Sequence, residues 1–378
     1  MHKLKQKHRV YGLGANALNR DAVLSIFKTK GRPLTDPVIV HVAKPDEAHK
    51  FILFEKQNGK DAFESLTKTF WPGPLTIVAR ARECLPSEVS AGTGFVGVRC
   101  PAHPIARRLL EAAGVPVAAP SANRFGHVSP TSSSHVLEDL GHAPITVVAE
   151  GEKDDIEKNN TSVCEVGIES TVAKIDEKKR EIVIFRRGGV PEAAIRNALI
   201  ELSYEVRVLT KTAAMDTDEG QQAPGQMITH YAPDVPASIA HLVPRSKSPV
   251  SNSSKEEEEE DESRPKKRAS LSHDNKKEYG KTVVVDCGGV LSCLRPHALA
   301  YRDISVSGNM SEAANAIFGA LRWAEAVPNA ERVLLADVSS MKGEHRDAVK
   351  DRMFRAASAT TVNVPIPHVV VEDTLTEK

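Results

Sequence analysis

From residue 10 to about residue 205, short β-branched runs alternate with amphipathic helical stretches, and few folds accept that rhythm. "DAVLSIFKTKG" predicts a helix closed by Gly31, since glycine tolerates the left-handed turn that ends a helix. "PVIVHV", "LTIVARA" and "GFVGVRC" predict strands, and "PVAAPSAN" a strand running into a loop. "DEAHKFILFEKQ", "DAFESLTKTF" and the glycine-terminated "HPIARRLLEAAG" read as helices, as does "SPTSSSHVLEDLG" with a Ser or Thr N-cap. "GIESTVAKIDEKKREIVIFRRGG" reads as two strands joined by a charged hairpin near "DEKK". Strands separated by helices define an α/β sheet.

A chain of 378 residues exceeds most single cores, so two domains are expected. The first spans 1–205. Residues 206–236 carry Gly, Pro and polar residues with little periodicity and read as a linker. Residues 237–378 form a smaller Rossmann-like α/β unit: "ASIAHLV", "KTVVVDCGGVL" and "ERVLLADVS" are strand-like, and "SEAANAIFGALRWAEAV" and "HRDAVKDRMFRAASA" have helical periods. An insert of about 245–280, including "EEEEEDESRPKKRAS", lacks the apolar content for a core and is expected to be disordered.

Lys+Arg and Asp+Glu both number 50, so any anion site is local rather than a property of the whole surface. Five cysteines without a C-x-x-C pair argue against a zinc site or disulfide framework and for a reducing compartment. No apolar run reaches the roughly 18 residues of a membrane helix, and no signal-peptide core is present. A cytoplasmic protein is expected. The basic opening "MHKLKQKHR" leaves a mitochondrial alternative, and Lys266, Lys267 and Arg268 resemble a nuclear-import patch followed by a kinase-type Ser270.

Lys30 and Arg32 flank Gly31 at a helix-to-strand junction, where fixed cations suit phosphate. Strand alternation puts Val38, Val40 and Val42 on one face and Ile39 and His41 on the other. Ser121, Asn123 and Ser129 lie on a loop leaving a strand, Arg99 ends another, and Ser170 interrupts an apolar run. Small hydroxyls and cations at strand ends are what α/β sheets present to ligands. Each alone reads equally well as a turn-former, a cap or a surface charge.

Taken in order, "YGLGANAL", "KGRP", "PVIVHV", "FWPGPLTIV", "VGVRCPAHP", "APSANRFGHVSPT", "GIESTV" and "HYAP" resemble the two-domain L-threonylcarbamoyladenylate synthases, built on a YrdC-type domain. The resemblance covers roughly residues 10–236 and extends more faintly over the C-terminal unit. It implies condensation of L-threonine, bicarbonate and ATP into threonylcarbamoyl-AMP and pyrophosphate, feeding the machinery that modifies adenosine 37 of tRNAs reading ANN codons. It implies that Lys30, Arg32, Ser121 and Asn123 form a catalytic K-x-R and S-x-N tetrad. Arg32, Asp36, Ser121, Ser129, Ser170 and Arg186 would contact ATP, and His41, Arg99 and Ala119 threonine. His230 and Tyr231 would lie on a linker lid. Mg²⁺ is expected with the ATP, and no dedicated metal cage is visible.

Two departures stand out. The family enters "YGLG" through "PTETVYGLG", whose second Thr contacts threonine, and here Arg9 takes that place in "QKHRVYGLG". An incomplete gene model or isoform and a form of impaired activity both fit. Asp36 replaces a common Asn, and a carboxylate near triphosphate would repel it unless it turns away or pairs with a cation. An RNA-binding YrdC-like module remains an alternative, as does the carbamoyltransferase of hydrogenase maturation. That relative carries zinc-finger cysteines and an acylphosphatase domain, and neither pattern is present.

Overall fold

The computed structural model describes residues 10–148, 167–209, 220–224, 230–244 and 278–366. Two sheets organise them. The first has nine strands: β1 (Ala15–Asn16), β2 (Val40–His41), β3 (Ile52–Leu53), β4 (Leu75–Ala81), β5 (Phe95–Arg99), β6 (Val117–Ala118), β7 (Thr171–Asp176), β8 (Glu181–Arg186) and β9 (Glu205–Val208). Their order is β1-β6-β2-β5-β4-β7-β8-β9, with β3 beside β4. The sheet is mixed: β2 runs parallel to β5, β4 to β7 and β8 to β9, while β6, β5–β4 and β7–β8 pair antiparallel.

Five helices accompany it: α1 (Arg20–Lys30), α2 (Gln57–Phe70), α3 (Pro104–Ala113), α4 (Ser133–Leu140) and α5 (Glu192–Ala198). The β7–β8 hairpin pairs as the sequence implies, with Asp176 opposite Glu181. "DEAHKFILFEKQ" is not an α-helix. Pro45–Lys50 is a short 3₁₀ turn, and Ile52–Leu53 is an edge strand against β4. Its apolar residues are bunched at Phe51, Ile52 and Phe54 instead of recurring every three to four, and Ile52 and Phe54 fall on one side by strand alternation. Glu205–Val208 also departs from the linker reading, because it pairs parallel with β8.

One core fills the helix side of this sheet, with Val38, Val40, Val42, Val96, Val98 and Ile77 packed against Val23, Ile26 and Phe63. Ile39, Val78, Val172 and Phe185 form a smaller cluster from the opposite alternation, capped by Ala223 of the linker. The strands therefore bury both faces near their centres. The second face is covered by the chain's own linker.

The second sheet is parallel throughout, in the order β12 (Ala300–Asp303), β11 (Thr282–Asp286), β13 (Arg332–Ala336), β10 (Ala237–Val243), β14 (Thr361–Pro365). Helices α6 (Met310–Glu325) and α7 (Arg346–Ala356) pack with it around Val283, Val284, Leu334, Ile317 and Val349. The fold is the expected YrdC-like α/β sheet followed by a Rossmann-like unit. Most of the expected insert lies outside the described residues, as do residues 1–9, including Arg9, and Lys266, Lys267, Arg268 and Ser270. Tyr279, at the insert's expected end, is buried in the second core.

Candidate active site

The K-G-R spacing has a local cause. Gly31 takes φ 64 at the end of α1, its amide bonds to Lys28 O, and the Arg32 amide reaches back to Phe27 O. This double bond of a left-handed cap reverses the chain, so Lys30 and Arg32 leave the same turn. Lys30 Nζ donates to Ser121 O at 2.6 Å and to Asn123 O, and Phe125 N returns a bond to Lys30 O. The K-x-R and S-x-N segments are thus bonded directly, although 91 residues separate Lys30 from Ser121. Burial, with Arg32 adding to it, holds the Lys30 ammonium well below its usual range, against Asp36 and Asp139.

Arg32 donates to Asp36 O (2.9 Å) and Pro37 O (2.6 Å), and its Nη2 lies 3.0 Å from Asp36 Oδ2. Asp36 therefore pairs with a cation, one of the two arrangements its position required. Asn123 Nδ2 donates to Arg124 O and His127 O, while its Oδ1 is buried without a partner. Ser129 Oγ donates to Glu169 Oε1 at 2.9 Å. Ser170 Oγ is 2.7 Å from Thr76 Oγ1, and Arg186 binds the Ser170 carbonyl through Nε and Nη2 at 3.1 and 3.0 Å.

His41 and Arg99 form a second grouping. They are register partners at the ends of parallel β2 and β5, and Arg99 Nε donates to Gly73 O. Val117 pairs with His41 across β6, and Ala119 N binds Ile39 O. Burial, reinforced by Arg99, lowers the His41 imidazole to about 3, so it is neutral at ordinary pH. Arg32 is anchored on the Asp36 and Pro37 carbonyls just before β2, and His41 is the last residue of that strand. Because the sheet is mixed, Ser170 precedes its strand instead of following one, unlike the strand-end placement expected for a parallel sheet.

The described linker residues lie against the first grouping. Gln221 N bonds Thr35 O, Gln222 accepts from Lys174, and Ala223 is fully buried. Further on, Ala232 N bonds Gly126 O, and His230 and Tyr231 stack edge-on at 4.0 Å, both buried. Tyr231 sits at φ 66, a conformation that costs a non-glycine residue about 1 kcal/mol or more. Burial, then Arg355, Arg186, Arg32 and Lys30, push the His230 imidazole well below its usual range. A neutral ring thus sits amid four cations.

Sequence reasoning passed over Thr76, Glu169, Arg352 and the interdomain cluster of His127, Asp139, Arg322 and Glu325. Glu169 lies inside "GIEST", and Arg322 and Arg352 fall in buried helix stripes, beside Ile317, Phe318 and Leu321 and beside Ala348, Val349, Met353 and Ala356. A charge in an apolar stripe was the available signal. Among the described residues, His127, Asp234 and Glu325 bring possible metal ligands together, yet His127 Nε2 bonds Glu325 at 2.9 Å and Arg124 holds Asp234 at 2.9 Å. That grouping is an interdomain ion-pair cluster.

The fold and site define a two-domain α/β protein with a cluster of buried cations in its first domain and a His-Arg pair at two of its strand ends. A family model described as "Telomere recombination" (Sua5/YciO/YrdC) matches residues 8–188, and one described as "Threonylcarbamoyl-AMP synthase, C-terminal domain" matches 190–358. The chain belongs to the Sua5/YciO/YrdC family. It is 39% identical over 238 residues to a threonylcarbamoyl-AMP synthase of Pyrococcus abyssi, covering 63% of each chain. To that of Bacillus subtilis it is 35% identical over 231 residues, covering 61% of this chain and 60% of the other. The aligned stretches thus span less than two thirds of those relatives' own lengths. The crystal structure of P. abyssi Sua5 complexed with L-threonine superposes with a TM-score of 0.70 at 30% identity, over 95% of this chain and 91% of that one. A variant of that protein with an adjacent His-Tyr pair replaced by alanines gives a TM-score of 0.68 at 29% identity.

Proposed function

We propose that this chain is a threonylcarbamoyl-AMP synthase, joining L-threonine, bicarbonate and ATP into the adenylate with release of pyrophosphate. The observation that carries the reading is the direct bonding of Lys30 to the Ser121 and Asn123 carbonyls, with Arg32 and Arg186 alongside. Phosphoryl and nucleotidyl transfer depend mainly on positioning and on neutralising charge that spreads over phosphate oxygens. Cations whose geometry is fixed by backbone carbonyls suit that task, since they need little rearrangement during reaction. The nucleophile is the carbamate of threonine itself, so no serine or cysteine nucleophile is required.

Arg99 suits the threonine carboxylate. His41, held neutral, suits a hydrogen bond to the threonine amine or hydroxyl, and an imidazole titrating near 3 is too weak a base to take the ammonium proton. Mg²⁺ enters this reading as part of the ATP complex. The carboxylates beside the cluster are already committed, Asp36 to Arg32, Glu169 to Ser129 and Arg352, and Asp139 to His127 and Arg322. The product would supply threonylcarbamoyl transfer to tRNA, and among the described residues no helix is long and apolar enough to cross a membrane. The test is pyrophosphate release by the purified chain with ATP and bicarbonate, with and without threonine. Release that needs threonine supports the reading. Release indifferent to threonine, or none from a chain that binds ATP, overturns it.

A further inference from the structure

The C-terminal unit sends one fully buried guanidinium across the domain contact. Arg352, on the apolar stripe of α7, places Nη2 3.1 Å from Glu169 Oε2 and donates through Nη1 to the carbonyl of Arg187. Glu169 immediately precedes Ser170, and Arg187 immediately follows Arg186. Those two flanked residues are themselves bonded to one another. The other Glu169 oxygen accepts from Ser129. One side chain therefore bears on all three hydroxyl and cationic groups assigned to the nucleotide outside the tetrad.

We propose that Arg352 is a positioning residue for ATP: through Glu169 and the Arg187 carbonyl it fixes Ser129, Ser170 and Arg186 in the arrangement that receives the phosphates. The inference rests on the synthase reading above. The C-terminal unit then completes the nucleotide site without touching substrate.

The chemistry favours a positioning role over a purely structural one. Burying an ion pair seldom stabilises more than well-packed apolar side chains of the same size would, so stability alone gives weak grounds for a guanidinium here. Burial alone would raise the Glu169 carboxyl, but Arg352 and Arg186 hold it below its usual range. An ionised carboxylate is acceptor-only, which lets it take a bond from Ser129 and one from Arg352 together. The backbones must also approach closely: a Cβ on Gly188 would lie 2.4 Å from Glu169 O, so only glycine lets the end of β8 pack on the start of β7. Neither bond of Arg352 to the first domain leads to the His41–Arg99 pair.

The test uses the full chain with Arg352→Met, Arg352→Lys and Glu169→Gln, measuring pyrophosphate release against ATP and threonine concentration, equilibrium ATP binding and thermal stability. Arg352→Met is expected to raise the ATP KM and Kd about 10- to 100-fold, the range for a lost charged hydrogen bond. The threonine KM should stay within about two-fold. Arg352→Lys recovers part of the loss, because one ammonium reaches Glu169 but lacks the fork. Parallel rises in both KM values, or a lower melting temperature with ATP affinity unchanged, would overturn the proposal. If Arg352→Met does not fold, Glu169→Gln, which preserves volume, decides by the same criteria. Should the parent chain release no pyrophosphate, the synthase reading fails, and ATP binding alone still decides for or against Arg352.

Discussion

Asp139 of the first domain and Arg322 of the second face one another across the domain contact at 2.6 Å, each with a side chain only 3% exposed. The same guanidinium donates to Val128 O, and Asp139 also takes His127 Nδ1 at 3.0 Å. His127 in turn gives its carbonyl to Asn123. The two domains are therefore tied at the loop that carries Ser121 and Asn123, half of the proposed tetrad.

Removing one member of such a pair strands a buried charge. Arg322→Met is expected to destabilise the chain by about 3 kcal/mol or more, read as a lower urea midpoint. Because Arg322 also holds the Asn123 loop, nucleotide affinity should fall with it. An unchanged midpoint would mean that the contact contributes nothing net.

The same cluster sets a pH dependence. Burial works against charging His127, but its bonds to Asp139 and Glu325 win and raise its affinity for a proton above the usual value near 6.5. A group raised on folding stabilises fully below its unfolded value and loses that contribution as pH climbs through the folded one. Stability should therefore fall above about pH 6.5, and His127→Asn should flatten that slope. The Asp139 carboxyl, depressed mainly by His127 and Arg322 against its burial, adds stability that is lost only in acid, below its unfolded value. Urea midpoints from about pH 2 to 9 check both signs.

Lys30 is held by the Ser121 and Asn123 carbonyls, so Lys30→Met removes a fixed cation from the proposed phosphate site. A loss of about 10²- to 10³-fold in kcat is expected, as for loss of one preorganised donor. Steady-state pyrophosphate release with folded variant, verified by circular dichroism, is the measurement. A loss confined to the ATP KM would place Lys30 in binding alone.

Arg99→Ala removes the partner proposed for the threonine carboxylate. The threonine KM should rise about 10-fold or more, with ATP affinity near that of the parent. A change in ATP affinity without one for threonine would exchange the roles of the two groupings.

Much of this was legible in the sequence because it is local. The glycine cap that sets Lys30 and Arg32, the alternation that separates His41 from the valines, and the "DEKK" hairpin all follow from short-range rules. What stayed hidden depends on partners far along the chain. The Lys30–Asn123 bond spans 93 residues and Arg352–Glu169 spans 183, and no short-range rule names either partner. "DEAHKFILFEKQ" misled because its helix-forming composition outweighed a bunched apolar run that the edge of β4 recruits as a strand. The seat of His230 amid four cations was equally unreadable, since those cations come from both domains.

The buried cations are proposed to hold ATP and a threonine carbamate together at one site. The most direct measurement supplies ¹³C-bicarbonate, ATP and threonine to the purified chain and weighs the product by mass spectrometry alongside pyrophosphate. An adenylate bearing one labelled carbon and the threonine skeleton is expected, in equal amount to pyrophosphate. Pyrophosphate and AMP formed with no labelled adenylate, or formed equally well without threonine, would contradict it.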